Sequence, residues 1–248
     1  MRGGRALLSD VSVSVEAGTL TAFVGPNGAG KTTLMRVLAG ELAPDSGAVV
    51  FGGRALASWS AADLARRRAV LPQRSELAFA FRVDEVVAMG RFPFAESGRT
   101  TEQHVRAALE AVGMASMADR SWLTLSGGER QRVQLARVLA QLADTPDGTL
   151  FLDEPTNHLD LTHQLGVLQI VRARVREGAT GIAVLHDLTA ACRVADRVVL
   201  LAGGRVVAQG EPGAVLRPDV LRETFRVDID RLDDPRGGVV LVPRLTGS

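Results

Sequence analysis

The sequence predicts an α/β fold built on a parallel β-sheet, and three observations carry that prediction. An apolar, β-prone segment at 20–24 runs into a glycine-rich loop, which leads into apolar residues at helical spacing over 33–39. The stretches 149–152 and 182–185 are apolar without alternation, as expected of strands buried on both faces of a parallel sheet. Segments with helical periodicity separate these strands, which is the order of elements typical of α/β proteins.

Shorter segments also carry the patterns of strands and helices. They are a half-buried strand of alternating valine and serine at 11–15, a strand at 48–51, a hairpin with strands at 198–201 and 205–208, a helix at 219–225 and a last strand at 239–242.

A helical insertion is expected between about 77 and 125, where the apolar spacing is helical and no β alternation occurs. A long helix follows over 130–142, and Ser126 and Glu129 in front of it form the pattern of a capping box. Capping alone leaves the two intervening glycines unexplained, because glycine weakens a helix start unless the backbone must approach something closely.

The bulk composition is that of a folded protein. The 248 residues are 46% hydrophobic and 23% charged, and the net charge of +1 predicts no nucleic-acid or anionic-membrane partner. Cys192 is the only cysteine, which excludes an internal disulfide and fits a reducing compartment. We find no secretory signal and no apolar run of about 18 residues, so we expect other chains to supply any membrane crossing.

The glycine-rich loop matches the pattern G-x-x-x-x-G-K-[ST] of phosphate-binding loops, in the required position between a strand and a helix. Its N–H groups and the helix N-terminus favour an anion. Lys31 adds a charge for the β- and γ-phosphates, and the Thr32 hydroxyl can reach Mg²⁺. The nucleotide-binding residues predicted here are Gly25, Pro26, Asn27, Gly28, Ala29, Gly30, Lys31, Thr32 and Thr33.

Two carboxylates, Asp153 and Glu154, end a predicted buried strand, where open α/β sheets place their ligands. ATP hydrolysis needs Mg²⁺, a positioned water and charge stabilisation as well as a phosphate cradle. We expect Thr32 and Asp153 to hold Mg²⁺ and Glu154 to polarise the attacking water. Gln73 and His186 also follow predicted strands. Gln73 could ligate the metal or place the water, and His186 could donate a hydrogen bond to the γ-phosphate.

The residue pattern leaves two other sites open. His158, Asp160 and His163 could be drawn as metal ligands, although the spacing lacks the i, i+4 pair of a zinc helix and no cysteine cluster accompanies it. Three arginines at 66–68 could line a basic groove for nucleic acid, but a helix dipole also favours basic residues in its last turn.

Taken in order, the segments GPNGAGKT, LSGGE, TLFLDE and HLD, with Gln73 and His186, resemble the nucleotide-binding subunits of ABC transporters. The resemblance covers nearly the whole chain. It implies a P-loop NTPase fold with a RecA-like core, an antiparallel β subdomain and a helical ABC subdomain.

The implied organisation is a single ABC ATPase domain over residues 1–248. The core and β subdomain would span about 1–76 and 149–248. The helical subdomain, which includes the signature helix, would span about 77–148.

The resemblance also implies a head-to-tail homodimer that holds two ATP molecules between the phosphate loop of one copy and the LSGGE segment of the other. Asp160 would lie at the dimer seam, and Gln73 with the following loop would couple to a membrane subunit. The residues that would contact the γ-phosphate across the dimer are Ser126, Gly127, Gly128 and Glu129.

The stretches 58–60, 66–73 and 83–91 resemble the ATPases of type II importers for haem, iron-siderophores and cobalamin. The LSGGERQRVQLARVLAQL stretch and LDLTHQ at 159–164 look closest to haem importers. Haem is therefore the expected cargo, with an iron-siderophore or cobalamin as the alternatives. The expected partners are two transmembrane permease subunits and a periplasmic or lipoprotein substrate-binding protein, at the cytoplasmic face of the inner membrane.

Two positions depart from the family pattern. The aromatic residue that usually stacks on adenine falls near Met1 or Arg2, and the chain has no tyrosine, so either the chain starts late or Arg2 stacks instead. Asn157 and His158 stand where the family often has Ser-Ala.

Two other classes of protein fit the sequence less well. A soluble ABC ATPase that acts on ribosomes or DNA usually carries two cassettes or long coiled-coil insertions, and this chain shows one cassette and no heptads. The intact Glu154 and His186 argue against a nucleotide-binding regulator without turnover.

Overall fold

The computed structural model describes residues 7–73, 77, 79–157, 159–234 and 238–244. The strands are β1 Leu20–Val24, β2 Val50–Phe51, β3 Arg54–Ala55, β4 Arg68–Leu71, β5 Thr149–Asp153, β6 Thr180–Val184, β7 Arg197–Ala202, β8 Arg205–Gly210, β9 Ile229–Asp233 and β10 Val239–Pro243. The α-helices are α1 Lys31–Leu38, α2 Ala61–Arg67, α3 Val83–Ala88, α4 Gly98–Ala111, α5 Gly127–Gln141, α6 Leu161–Arg176, α7 Leu188–Val194, α8 Pro212–Val215 and α9 Pro218–Phe225.

The central sheet has six strands in the order β4-β5-β6-β1-β7-β8. The first five are parallel, and β8 pairs antiparallel with β7. All residues of β1, β5 and β6 are buried, which explains their unbroken apolar sequences. Asp153 pairs with Val184, so the polar residues that follow β5 and β6 lie at the same edge of the sheet.

Alternate residues of the buried strands face two different cores. Phe23, Phe151 and Val184 pack with Met35 of α1 on one face. Leu20, Leu152 and Ala183 belong to a larger cluster on the other face, to which α5 and α6 contribute. The helix α1 is therefore fixed to the sheet just beyond the loop that precedes it.

Between β4 and β5 the described elements are helices, and α3, α4 and α5 pack against one another. Gly90 follows α3 so close to α5 that an added Cβ would lie 2.3 Å from the Arg137 carbonyl oxygen. The side chain of Arg91 is buried beside it and forms ion pairs with Glu96 and Asp144, each at 2.6 Å. It also donates to the Ala140 carbonyl at 2.7 Å, at the end of α5.

The fold class predicted from the sequence is confirmed, and so are the hairpin β7–β8, the helix α9 and the capping box of α5. The strand predicted at 11–15 is wrong. Its valines are half-buried against the α1 side of the sheet, as the alternation indicates, but the segment forms no β-ladder. The alternation of valine and serine therefore reflects burial of one side of this segment and does not indicate strand pairing.

Two other elements differ in extent. The predicted strand at 48–51 is reduced to the two residues of β2, which pairs with β3, and β9 was not predicted. The division into a core and a helical subdomain at about 77 and 148 stays a prediction. Among the described residues, no helix combines the length and apolarity that a membrane span requires.

Two of the three arginines at 66–68 have ion-pair partners. Arg66 pairs with Asp63 of the same helix and donates to the Pro93 carbonyl, and Arg67 pairs with Asp147. These contacts favour the interpretation that these two arginines are basic residues in the last turn of a helix, and not the lining of a nucleic-acid groove.

The ion pair between the buried Arg91 and the partly buried Glu96 makes stability depend on pH in acid. Chiefly through its hydrogen bond from Arg91, the pKa of Glu96 falls from its ordinary value of 4.5 to about 2. A carboxylate whose pKa is lower in the folded state stabilises the fold above the unfolded pKa and loses that contribution as pH falls. We expect Glu96→Gln to lower the urea midpoint at pH 7 and to flatten its decline between about pH 4.5 and 2. The exposed Glu110→Gln is the matched control, and an unchanged acid profile in Glu96→Gln would contradict the assignment.

Candidate nucleotide-binding site

The glycine-rich loop joins β1 to α1, and its conformation requires glycine at two points. Gly25 has φ +143°, and an added Cβ would lie 2.0 Å from the Leu201 carbonyl oxygen of β7. Gly30, the N-cap of α1, has φ +99°, and an added Cβ would lie 2.7 Å from the Leu8 side chain and 3.1 Å from the Leu7 carbonyl oxygen. The loop is thus held against neighbouring backbone where a side chain would not fit, and its first helical N–H groups have no intrahelical acceptor.

Lys31 begins α1 and folds back over the loop. Its Nζ donates to the carbonyl oxygens of Gly25 at 2.7 Å and Pro26 at 3.0 Å. Burial lowers the pKa of Lys31, while the negative charges of Glu154 and Asp153 oppose that shift. A buried ammonium group inside a loop of backbone dipoles is a point charge suited to binding phosphate.

Thr32 connects the loop to β5. Its hydroxyl donates to Asp153 Oδ1 at 3.0 Å, and Asp153 is only 3% exposed. Burial raises the pKa of Asp153, and the hydrogen bond from Thr32 opposes part of that rise. A hydroxyl and a carboxylate at hydrogen-bond distance are the hard oxygen donors that Mg²⁺ prefers, so the pair fits the predicted metal site.

Glu154 follows β5 in a left-handed conformation, with φ +51°. The conformation is uncommon outside glycine, and both carboxylate oxygens of Glu154 have side-chain partners. His186 Nε2 lies 2.6 Å from Oε1, and Asn157 Nδ2 donates to Oε2 at 2.8 Å. Gln73 also donates to this carboxylate. Burial acts to raise the pKa of Glu154, but the hydrogen bonds from these donors outweigh it and bring the pKa below its ordinary value.

The structure therefore brings the predicted phosphate loop, Asp153, Glu154, Gln73 and His186 together. The register of the sheet explains why, because β4, β5 and β6 are adjacent and all end at this edge. The contact of Asn157 with Glu154 was missed. The sequence singled out Asn157 only as a departure from a family pattern, and no sequence signal showed where its side chain would point.

The LSGGE segment lies elsewhere in the described chain. Ser126 caps α5, and Glu129 completes a capping box by accepting from the Ser126 N–H at 2.8 Å. The pKa of Glu129 is lowered, chiefly by this backbone hydrogen bond. Ser126 and Gly127 are exposed, so this helix N-terminus faces outward. Ser126 and Glu129 bond to each other, and their bonds within the described residues do not include the phosphate loop.

Asp160 is the N-cap of α6. It accepts from the His163 N–H at 2.9 Å, and its Oδ1 lies 2.8 Å from His163 Nδ1. These bonds, the backbone one first, lower the pKa of Asp160. Of the three residues of the alternative metal site, His158 lies outside the described residues, and Asp160 and His163 are accounted for as a helix cap. Met1 and Arg2, the positions expected to stack on adenine, also lie outside the described residues.

A glycine-rich loop before a helix N-terminus, closed by a buried lysine and a threonine–aspartate pair at the end of a parallel sheet, defines a P-loop nucleotide-binding protein. The ABC transporter family matches residues 8–157. The chain belongs to the ABC transporter family.

Curated relatives match over almost the whole chain. The chain is 49% identical over 243 residues to the hemin import ATP-binding protein HmuV of Pseudomonas fluorescens (strain Pf0-1), covering 97% of this chain and 95% of that protein. It is 49% identical over 247 residues to the protein of the same name from Nocardia farcinica, with 97% and 84% covered.

Solved structures share the fold. A metal-chelate type ABC transporter in an inward-facing conformation superposes with a TM-score of 0.75 at 26% identity, covering 93% of this chain and 88% of that chain. A bacterial Atm1-family ABC exporter with ATP bound gives a TM-score of 0.77 at 31% identity, covering 90% of this chain and 39% of that chain.

Lys31→Met tests the phosphate loop, because it removes the charge and keeps the length of the side chain. Charge-assisted hydrogen bonds contribute about 1.5–3 kcal/mol each, so ATP affinity should fall by about 10- to 100-fold. Fluorescence titration with a labelled ATP analogue measures the affinity. Arg36→Met, on the exposed side of the same helix, is the control and should bind as the parent does. Equal affinities for the two variants would rule out Lys31 as a phosphate ligand.

Proposed function

We propose that this chain binds and hydrolyses ATP as the energising subunit of an importer that carries haem across the cytoplasmic membrane. The observation that carries the ATPase part is the position of the Glu154 carboxylate. It is held beside the Thr32–Asp153 pair by donors at both of its oxygens. The names of the curated relatives, each nearly half identical over nearly full length, support haem as the cargo.

In this mechanism the loop from Gly25 to Thr33 cradles the phosphates through backbone N–H groups and Lys31. Thr32 and Asp153, with Gln73, would hold Mg²⁺, which would offset charge on the β- and γ-phosphates. Glu154, ionised because its pKa is low, accepts a hydrogen bond from the attacking water and orients it. His186 is half-exposed beside Glu154 and would donate a hydrogen bond to a γ-phosphate oxygen.

We further propose that the working form is a homodimer in which each site is completed by the other copy. Ser126, Gly127, Gly128 and Glu129 would supply the far wall. Support comes from the exposed N-terminus of α5, whose positive helix-dipole end suits a phosphate, and from the absence, in the described chain, of bonds between this end and its own phosphate loop. Asp160 would lie at the seam between the copies.

The remaining partners follow from the importer role. Two transmembrane permease subunits would bind near Gln73 and the loop after it, and a periplasmic or lipoprotein substrate-binding protein would deliver the cargo. The subunit would sit peripherally on the cytoplasmic face of the inner membrane. An iron-siderophore or cobalamin is the alternative cargo, because the ATPase subunit need not touch what is transported.

Glu154→Gln should separate ATP binding from turnover, since glutamine keeps the shape of the side chain and loses its basicity. We expect turnover to fall at least about 100-fold and an ATP-bound dimer to accumulate, measured by phosphate release and by light scattering on a sizing column. Adding Ser126→Arg to this variant should prevent dimer formation while ATP affinity stays the same. Parent-like hydrolysis in Glu154→Gln would refute its assigned role, and an undiminished dimer in the double variant would refute the composite site.

The cargo is tested by growth of the source organism with this gene deleted. Haem as the sole iron source should fail to support the deletion strain, while ferric salt supports it and the parental gene restores growth. The gene carrying Glu154→Gln should not restore growth on haem. Growth on haem combined with failure on a ferric siderophore, or with loss of cobalamin-dependent growth, would reassign the cargo to that alternative.

A further inference from the structure

Asn157 lies three residues after Glu154 and closes a turn onto it through two hydrogen bonds. Its backbone N–H donates to the Glu154 carbonyl oxygen at 3.1 Å, and its side-chain Nδ2 donates to Oε2 at 2.8 Å. The backbone bond closes the four-residue turn from Glu154 to Asn157. The side-chain bond then ties the carboxylate to that turn.

The other carboxylate oxygen has a different donor from a different element. His186, which follows β6, has Nε2 at 2.6 Å from Oε1. A carboxylate held at one oxygen only can still rotate about its terminal torsion, which is broad in energy. A second donor at the other oxygen, from a separate part of the chain, fixes the plane of the group.

From this geometry we propose that Asn157 is a positioning residue for ATP hydrolysis, which holds the carboxylate plane of Glu154 in the orientation that receives the attacking water. The proposal rests on the proposed ATPase function and adds a residue to it. An ionised carboxylate has about four lone-pair sites, so the three donors Asn157, His186 and Gln73 leave one site free for the water.

The expected loss on removing Asn157 is in turnover and not in ATP binding. Asn157 touches Glu154, whereas the nucleotide is held by the loop at Gly25–Thr33 and by Lys31. A misdirected general base costs about 10- to 100-fold in rate, because the water is then activated in the wrong place. ATP affinity depends on groups that the substitution does not reach, so it should stay within about twofold.

Gln131 offers a matched control. Its Nε2 donates to the Pro155 carbonyl oxygen at 3.3 Å, so an amide side chain supports the same turn without touching the carboxylate. If Asn157 only braces the turn, Asn157→Ala and Gln131→Ala should have similar effects. If it orients Glu154, only Asn157→Ala should slow turnover strongly.

The test measures kcat, KM for ATP and ATP affinity in the 248-residue chain for Asn157→Ala, Asn157→Asp and Gln131→Ala. We expect kcat to fall about 10-fold or more in Asn157→Ala, with KM and affinity within about twofold. The kcat of Asn157→Asp should fall further, because a second carboxylate repels Glu154. Gln131→Ala should keep kcat within about threefold. Thermal unfolding of each variant identifies any loss of fold.

A double-mutant cycle separates positioning from a general loss of structure. In the Glu154→Gln background, single-turnover cleavage should change less than about twofold on adding Asn157→Ala, because the group that Asn157 orients is already inactive. An equal fold-loss in both backgrounds, or a parent-like kcat in Asn157→Ala, would overturn the role of Asn157 while leaving the ATPase assignment intact. A parent chain that binds ATP but never hydrolyses it would instead overturn the proposed function and this role with it.

Discussion

The hydrogen bond between Thr32 and Asp153 is the contact on which the site depends, because it joins the phosphate loop to the neighbouring half of the sheet. The loop belongs to β1 and α1, whereas the carboxylates belong to β5, and β6 lies between the two strands. The packing of α1 against Phe151 of β5 also joins the phosphate-loop segment to β5. A site for phosphate and metal thus exists only where two chain segments 121 positions apart are held in register.

The charged side chains gathered at this edge of the sheet have pKa values that are shifted by their surroundings. Lys31 and Asp153 are both buried, and burial moves their pKa values toward the neutral forms. The pKa of Glu154 is instead shifted toward the ionised form, because several hydrogen-bond donors converge on its carboxylate. The surroundings therefore distinguish the two adjacent carboxylates. Asp153 is shielded beside Thr32, and Glu154 is kept ionised by its donors.

The region between β4 and β5 is fastened to the rest of the chain through α5. Gln141 donates to the Ala65 and Arg68 carbonyls, and Arg137 donates to the Val70 carbonyl at the end of β4. The helix that begins at the exposed LSGGE segment is in this way bonded to the strand that leads to Gln73. These side-chain to backbone hydrogen bonds join the two elements directly.

The sequence alone determined the elements whose pattern is local. Buried parallel strands, the phosphate loop and the capped helix α5 each follow from neighbouring residues, because burial, glycine conformation and capping are set within a few positions. Tertiary structure decided the rest. The alternating valines at 11–15 form no ladder, Gly25 meets the carbonyl of Leu201, and the amide of Asn157 reaches Glu154. Each of these depends on where distant or non-repeating backbone is placed, and strand register and turn geometry leave no periodic trace in the sequence.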